Sequence, residues 1–152
     1  MDALQITEVD PRAPEVGSLL ERHMDFNAEV TPPEDIHALD LDGLLDPNVT
    51  LYGLRNGGPL LGLGALKQLD QGHVEIKSMH TAAEARGRGV ARAMLDHLLA
   101  TATRRGARRV SLETGSQDAF LPAIALYEGA GFERCGPFAE YRDGTSSVFM
   151  TL

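Results

Sequence analysis

The chain has 152 residues, 43% apolar and 24% charged, with a net charge of -8. That length suits one domain with a proper core and is short for two, and the balance is that of a soluble globular domain, which excludes a disordered tail or a membrane protein. The acidic total argues against nucleic acid as the main partner, because phosphate binding calls for a basic field.

Cys135 is the one cysteine, so no intrachain disulfide can form, packing alone must supply stability, and a reducing cytoplasm fits. Met1 to Gln5 has no basic stretch followed by an apolar core and does not read as a secretory signal. Nowhere is there a run of about 18 apolar residues, the length a spanning helix needs. The expectation is a cytoplasmic protein with no membrane partner.

In chain order, Leu4 to Val9 alternates apolar and polar residues as a half-buried strand does, and Pro11 ends it. Pro14 to Val30 carries Val16, Leu19, Leu20, Met24 and Ala28 at helical spacing, closed by Pro32-Pro33. Glu34 to Leu45 reads as a shorter helix or ordered loop. Val49–Leu54 and Leu60–Leu69 are strands joined through Asn56-Gly57-Gly58, residues that tolerate the positive φ of a tight hairpin. After a turn at Asp70-Gln71-Gly72, His73 to Met79 alternates as a third antiparallel strand. Val90, Met94, Leu98 and Ala102 form one helical stripe that ends at Arg104-Arg105-Gly106. Val110–Thr114 is a strand and Ala119–Ala130 a helix capped by Gly131. Phe132–Phe138 and Ser146–Leu152 complete the sheet as an antiparallel pair.

This order predicts a mixed α+β sheet of about seven strands flanked by about four helices. The strands before Arg86 and after Gly106 flank a crossover helix and should be parallel neighbours, with a ligand bound where that helix begins. Seven of the 14 Lys and Arg residues, Arg86, Arg88, Arg92, Arg104, Arg105, Arg108 and Arg109, lie in this one segment of an acidic chain. Arg104 and Arg105 suit a helix C-terminus. Arg86, Gly87, Arg88, Gly89, Val90 and Ala91 lie between a strand and a helix N-terminus, where backbone N–H groups lack helical partners and the dipole is positive. Gly87 and Gly89 remove side chains that would hold a diphosphate away, and Arg86, Arg88 and Arg92 add charge. The pattern G-x-G-x-x-G would require Gly where Arg92 stands, and G-x-x-x-x-G-K-[ST] is absent, so NAD and ATP are poor candidates.

Arg86-x-x-Gly89-x-Ala91 resembles the Q/R-x-x-G-x-G/A signature of the GNAT superfamily of N-acetyltransferases, and Leu126-Tyr127-x-x-x-Gly131-Phe132 resembles its later LYxxxGF element at a similar spacing. The order of elements is similar to the GNAT fold over nearly the whole chain. Glu75-Ile76-Lys77-Ser78-Met79, Ser111 to Ser116 and Ser147 to Met150 resemble a bacterial branch labelled YsnE-like. The resemblance implies one N-acetyltransferase domain over residues 1–152, with acetyl-CoA as cosubstrate and a primary amine as acceptor, whether a small molecule, an amino-acid-like compound or a peptide. It implies direct attack within a ternary complex and suggests a homodimer. Two other readings stay open: a non-catalytic acyl-CoA-binding sensor, and a protein acetyltransferase acting on lysines or N-termini.

The resemblance also implies that the amides from Arg88 to Ala91 hold the CoA pyrophosphate, and that the strand ending at Met79, His80 and Thr81 pairs with the pantetheine arm. Strands Val74–Thr81 and Val110–Thr114 would splay, offering N–H groups to the thioester carbonyl. Tyr127 would return a proton to the departing thiolate; its other reading is a core tyrosine at the helix–sheet interface. Phe120 stands where many relatives carry a cofactor-contacting Asn.

An attacking amine, with a reference pKa of about 10, needs a base. The candidates are His73, Glu75 and Glu113. His73 and Glu75, two apart on one strand, share a face with Cα atoms about 6.6 Å apart. Glu75 is nearer the splay and resembles a position from which family members supply a carboxylate. Its other reading is a solvent-facing strand residue paired with Lys77 or with a neighbouring strand. Cys135 reads as a small buried or edge residue. No His, Cys, Asp and Glu cluster has metal-ligand spacing, so no metal is expected. The acceptor slot should be lined by Pro32–Asp46 and Gly136–Tyr141, with Asp35, Asp40, Asp42 and Glu140 as carboxylates for a cationic acceptor.

Overall fold

In the computed structural model, which describes residues 4–30, 41–116, 118–139, 141 and 147–152, strand β1 (Gln5–Glu8) leads into helix α1 (Pro14–Val30) and the short helix α2 (Leu41–Leu44). Three strands follow, β2 (Val49–Arg55), β3 (Leu60–Asp70) and β4 (His73–Thr81). Then come helix α3 (Val90–Arg104), strand β5 (Arg109–Gly115), helix α4 (Leu121–Gly129) and strands β6 (Glu133–Cys135) and β7 (Ser147–Thr151). All seven strands form one sheet in the order β1-β2-β3-β4-β5-β7-β6. β4 and β5 are parallel and the other neighbours antiparallel, so the sheet is mixed as expected.

The local signals explain most of these elements. Gly57 (φ +75°) turns the hairpin from β2 to β3, and Gly72 (φ +88°) turns β3 into β4. The Gly72 carbonyl also accepts the N–H groups of Arg108 (2.7 Å) and Arg109 (3.0 Å), which starts β5 beside the start of β4. α3 buries Val90, Met94, Leu95, Leu98 and Ala102, the stripe that its 3.6-residue period requires. This helix lies so close to β3 that a Cβ on Gly64 would stand 2.8 Å from Met94 Cγ, and one on Gly62 2.9 Å from Val90 Cγ1. Both glycines are therefore needed for the close approach. Gly106 and Gly131, at φ +83° and +104°, end α3 and α4, with Ala107 and Phe132 donating back to Ala102 O and Tyr127 O at 3.0 Å each. Arg55 grips both carboxylate oxygens of Glu15 and ties α1 to the end of β2.

Several boundaries differ from the sequence reading. β4 runs on to Thr81, past Met79, because β3 continues to pair with it. The helix expected from Ala119 begins at Leu121 after a 3-10 turn at Asp118–Phe120. Pro122 then falls in its first turn, where the missing N–H has no helical partner to lose. β6 stops at Cys135 and does not reach Phe138, since Gly136 and Pro137 make poor strand residues. β7 inserts between β5 and β6, so the last strand is internal and its predecessor is the edge; the expected start at Ser146 lies outside the described residues. Residues 31–40, the larger part of the expected second helix, lie outside the described residues.

Candidate active site

The β4–β5 ladder has four rungs, from His73–Arg109 to Ile76–Leu112, and then stops. Beyond it β4 pairs only with β3 and β5 only with β7. The two parallel strands thus part from Lys77 and Glu113 onward, opening a split in the middle of the sheet. Its local cause is a bulge: between the pairs Ala65–Lys77 and Leu63–His80, the two residues Ser78 and Met79 oppose the single Gly64. Ser78 sits there at φ +55°, one of two non-glycine residues with positive φ among those described. An extra residue bends β4 and raises its twist, which carries it away from β5.

Side chains alternate across the sheet, so Ile76, which pairs with Leu66 two residues on from Gly64, faces α3. Glu75 and Lys77 therefore face the other way. Glu75 is 2% exposed. Lys77 Nζ lies 3.1 Å from its Oε2, Tyr141 donates its hydroxyl to the same oxygen at 2.5 Å, and Lys77 also donates to the Tyr141 hydroxyl. The ammonium stands 5.0 Å from the centre of the Tyr141 ring, which packs against Phe138 and Phe149. The pairing of Glu75 with Lys77 is thus present, but buried; the solvent-facing version of that reading is corrected by the aromatic cover. Both of these hydrogen bonds end on Oε2, which leaves Oε1 for a further partner.

His73 shares its face with Glu75 but makes other contacts. Its Nε2 and Ser111 Oγ share a hydrogen bond of 2.7 Å, Ser111 Oγ lies 3.1 Å from Thr151 Oγ1, and Arg109 Nε donates to Thr151 Oγ1 at 2.9 Å. Burial, and then the Arg109 charge, hold the imidazole below its ordinary pKa. His73 is therefore a neutral ring in a hydroxyl chain, and among the described residues no hydrogen bond joins it to Glu75.

Tyr127, on α4, is 5% exposed and meets Phe132 edge to face at 5.8 Å. Burial, with the charge of Glu113, raises its phenol well above the ordinary tyrosine value. Burial, together with Glu75 and Glu113, raises Tyr141 in the same way. The Glu113 charge thus bears on both phenols, while Tyr127 packs in the core beside Phe132.

Where α3 begins, Gly87 and Gly89 both have φ +79°. Arg86 and Arg88 are not among the positive-φ residues, so the backbone sign alternates from Arg86 to Gly89 and forms a concavity of N–H groups suited to an anion. Gly89 is the helix N-cap, with no side-chain cap hydrogen bond and no acidic residue in the first turn. A Cβ on either glycine would meet nothing within 4 Å. The turn is open and exposed, and its orphan amides fit a diphosphate. Arg92 is drawn back along the helix to Asp96 at 3.3 Å. Val90 is buried under the helix and Ala91 half-buried.

Met79, His80 and Thr81 are half-buried on the last stretch of β4, between bulge and turn. Phe120 is the N-cap of α4 and makes no side-chain cap hydrogen bond, a bond that an Asn could make there. Cys135 is half-buried on β6, opposite Phe149. Among the described residues no group of three or more His, Cys, Asp or Glu is placed to hold a metal ion. Of the expected acceptor slot, Asp35, Asp40, Glu140 and the Asp42 side chain lie outside the described residues. Leu44, Leu45 and Asp46 line an open depression of about 460 Å³ with Glu8–Arg12 and Val49, against β1 and β2 and not at the split. Sequence reasoning reached Glu75 and Lys77 by alternation. It placed Tyr141 only within a lining segment, because nothing local links residues 66 apart.

The sequence model of the Acetyltransferase (GNAT) family matches residues 16–132. The uncharacterized N-acetyltransferase YsnE of Bacillus subtilis (strain 168) is 47% identical over 137 residues, covering 90% of this chain and 91% of that protein. The uncharacterized N-acetyltransferase YedL of Escherichia coli (strain K12) is 44% identical over 139 residues, covering 91% and 87%. A GNAT family acetyltransferase from Elizabethkingia anophelis, solved with acetyl-CoA bound, superposes with a TM-score of 0.73 at 16% identity, covering 100% of this chain and 99% of that one. With its parted central strands and a family match over most of its length, this chain belongs to the GNAT family of acetyltransferases, which take their acetyl group from acetyl-CoA.

Proposed function

We propose that this enzyme transfers the acetyl group of acetyl-CoA to a primary amine, a small-molecule or amino-acid-like acceptor, by direct attack within a ternary complex. The observation that carries this reading is the parting of β4 and β5 after Ile76 and Leu112. It lies between an anion-binding turn and a buried carboxylate, and Tyr127 is electrostatically coupled to Glu113 on its rim. The amides from Arg88 to Ala91 hold the diphosphate, with Arg86 and Arg92 adding charge, and Met79, His80 and Thr81 border the path of the arm. Free main-chain groups beyond the last rung stabilise the oxyanion as the amine attacks. Glu75 takes the amine proton through Oε1, while Lys77 and Tyr141 hold Oε2 and fix the carboxylate. Tyr127, kept protonated by burial, returns a proton to the sulfur.

Purified protein mixed with acetyl-CoA and a panel of amines, with free thiol followed by a colorimetric reagent, should show amine-stimulated thiol release. Acetyl-CoA binding with no stimulation by any amine or peptide would turn the reading to a non-catalytic acyl-CoA-binding module. Stimulation by peptides alone would turn it to a protein acetyltransferase. Gly89→Ala examines the turn separately. An L-residue at φ +79° is strained by about 1–2 kcal/mol, and relaxation of the turn misaligns amides that meet a charged group. The acetyl-CoA dissociation constant should rise about 10- to 100-fold while kcat at saturation holds; an unchanged affinity would remove the turn from the donor site.

A further inference from the structure

Ser78 stands in a costly environment that nothing among the described residues explains. It is 8% exposed, and its Oγ is buried with no hydrogen-bond partner, although buried hydroxyls are nearly always paired. Its φ of +55° is one that glycine adopts freely and an L-residue does not. A bulge that only had to bend β4 would be better served by glycine.

The position supplies a reason. Ser78 and Met79 oppose Gly64 across the ladder, on the face where Met94 of α3 comes within 2.8 Å of the Gly64 Cβ position. Two residues along β3, Gly62 pairs with Thr81 and touches Val90, the first residue of α3. One face of the sheet thus leads from the glycine-rich turn, past Thr81, to Ser78, two residues beyond the last β4–β5 rung. An acyl donor with its diphosphate on the turn and its thioester in the split would run along the stretch of β4 that carries Ser78.

We propose that Ser78 is a donor-binding residue, its hydroxyl hydrogen-bonding an amide or thioester oxygen of the acyl-CoA arm where β4 leaves β5; this rests on the reading that the donor occupies the split. Binding then gives the orphan hydroxyl its partner, and the strained bulge holds it in place beforehand.

Ser78→Ala removes the hydroxyl and keeps the strain, whereas Ser78→Gly removes both. Titration calorimetry with acetyl-CoA, and separately with 3′-phosphoadenosine 5′-diphosphate, which lacks the arm, is combined with thermal unfolding of each ligand-free protein. Both variants should bind acetyl-CoA about 3- to 10-fold more weakly and the fragment as wild type does. Both ligand-free variants should unfold at a higher temperature than wild type, since each loses the orphan hydroxyl, and Ser78→Gly by the larger shift because it also loses the strain. Wild-type affinity for acetyl-CoA in both variants would overturn the role of Ser78 and leave the donor site intact. Equal weakening toward the fragment would also overturn it, since the change would not concern the arm. A wild-type protein that binds acetyl-CoA no better than the fragment would overturn both this inference and the reading beneath it.

Discussion

Tyr127→Phe should lower kcat about 10²- to 10⁴-fold, the span of a lost general acid, with acetyl-CoA affinity unchanged within a few-fold. The substitution keeps the ring and its edge-to-face contact with Phe132 at 5.8 Å, so the fold should lose little. What disappears is a proton held by burial and by the Glu113 charge. Without it the thiolate leaves unprotonated into a site where water is scarce, and the barrier rises. Because the phenol is pushed above its ordinary value of about 10, wild-type activity should show no falling limb from this group below that pH. Single-turnover and steady-state rates measured together separate the chemical step from product release. A kcat within a few-fold of wild type would leave Tyr127 as a core residue only.

The largest expected stability effect belongs to Lys77. Its side chain is 8% exposed and that of Glu75 3%, so replacing Lys77 with Met strands a carboxylate in a dry site with Tyr141 as its remaining donor. Breaking a buried pair from one side costs about 3–5 kcal/mol, a large part of the total stability of a small domain. Urea unfolding should report that loss near neutral pH. The double variant Lys77→Met with Glu75→Gln leaves no charge to strand, and its loss should be smaller than that of Lys77→Met alone. A loss under about 1 kcal/mol would mean that the pair is solvated like an ordinary surface ion pair.

Much of this molecule was determined by short-range pattern. The stripe from Val90 to Ala102, the glycine turns at Gly57 and Gly72 and the alternation from His73 to Met79 each specify an element, because periodicity and positive φ are properties of neighbouring residues. The glycine pair Gly87 and Gly89 before α3 is likewise legible, since glycine is the residue that takes positive φ freely. Non-local pairing decided the rest. No local signal sends β7 between β5 and β6, or makes Ser78 and Met79 share the single Gly64, since register is chosen by which partner strand best covers each face. Glu75 reads from the chain as a candidate base or, in its other reading, as a solvent-facing strand residue paired with Lys77. They became a buried pair because Tyr141, 66 residues away, folds over them with Phe138 and Phe149, and the dielectric around a charge is set by whatever the tertiary fold lays on top of it.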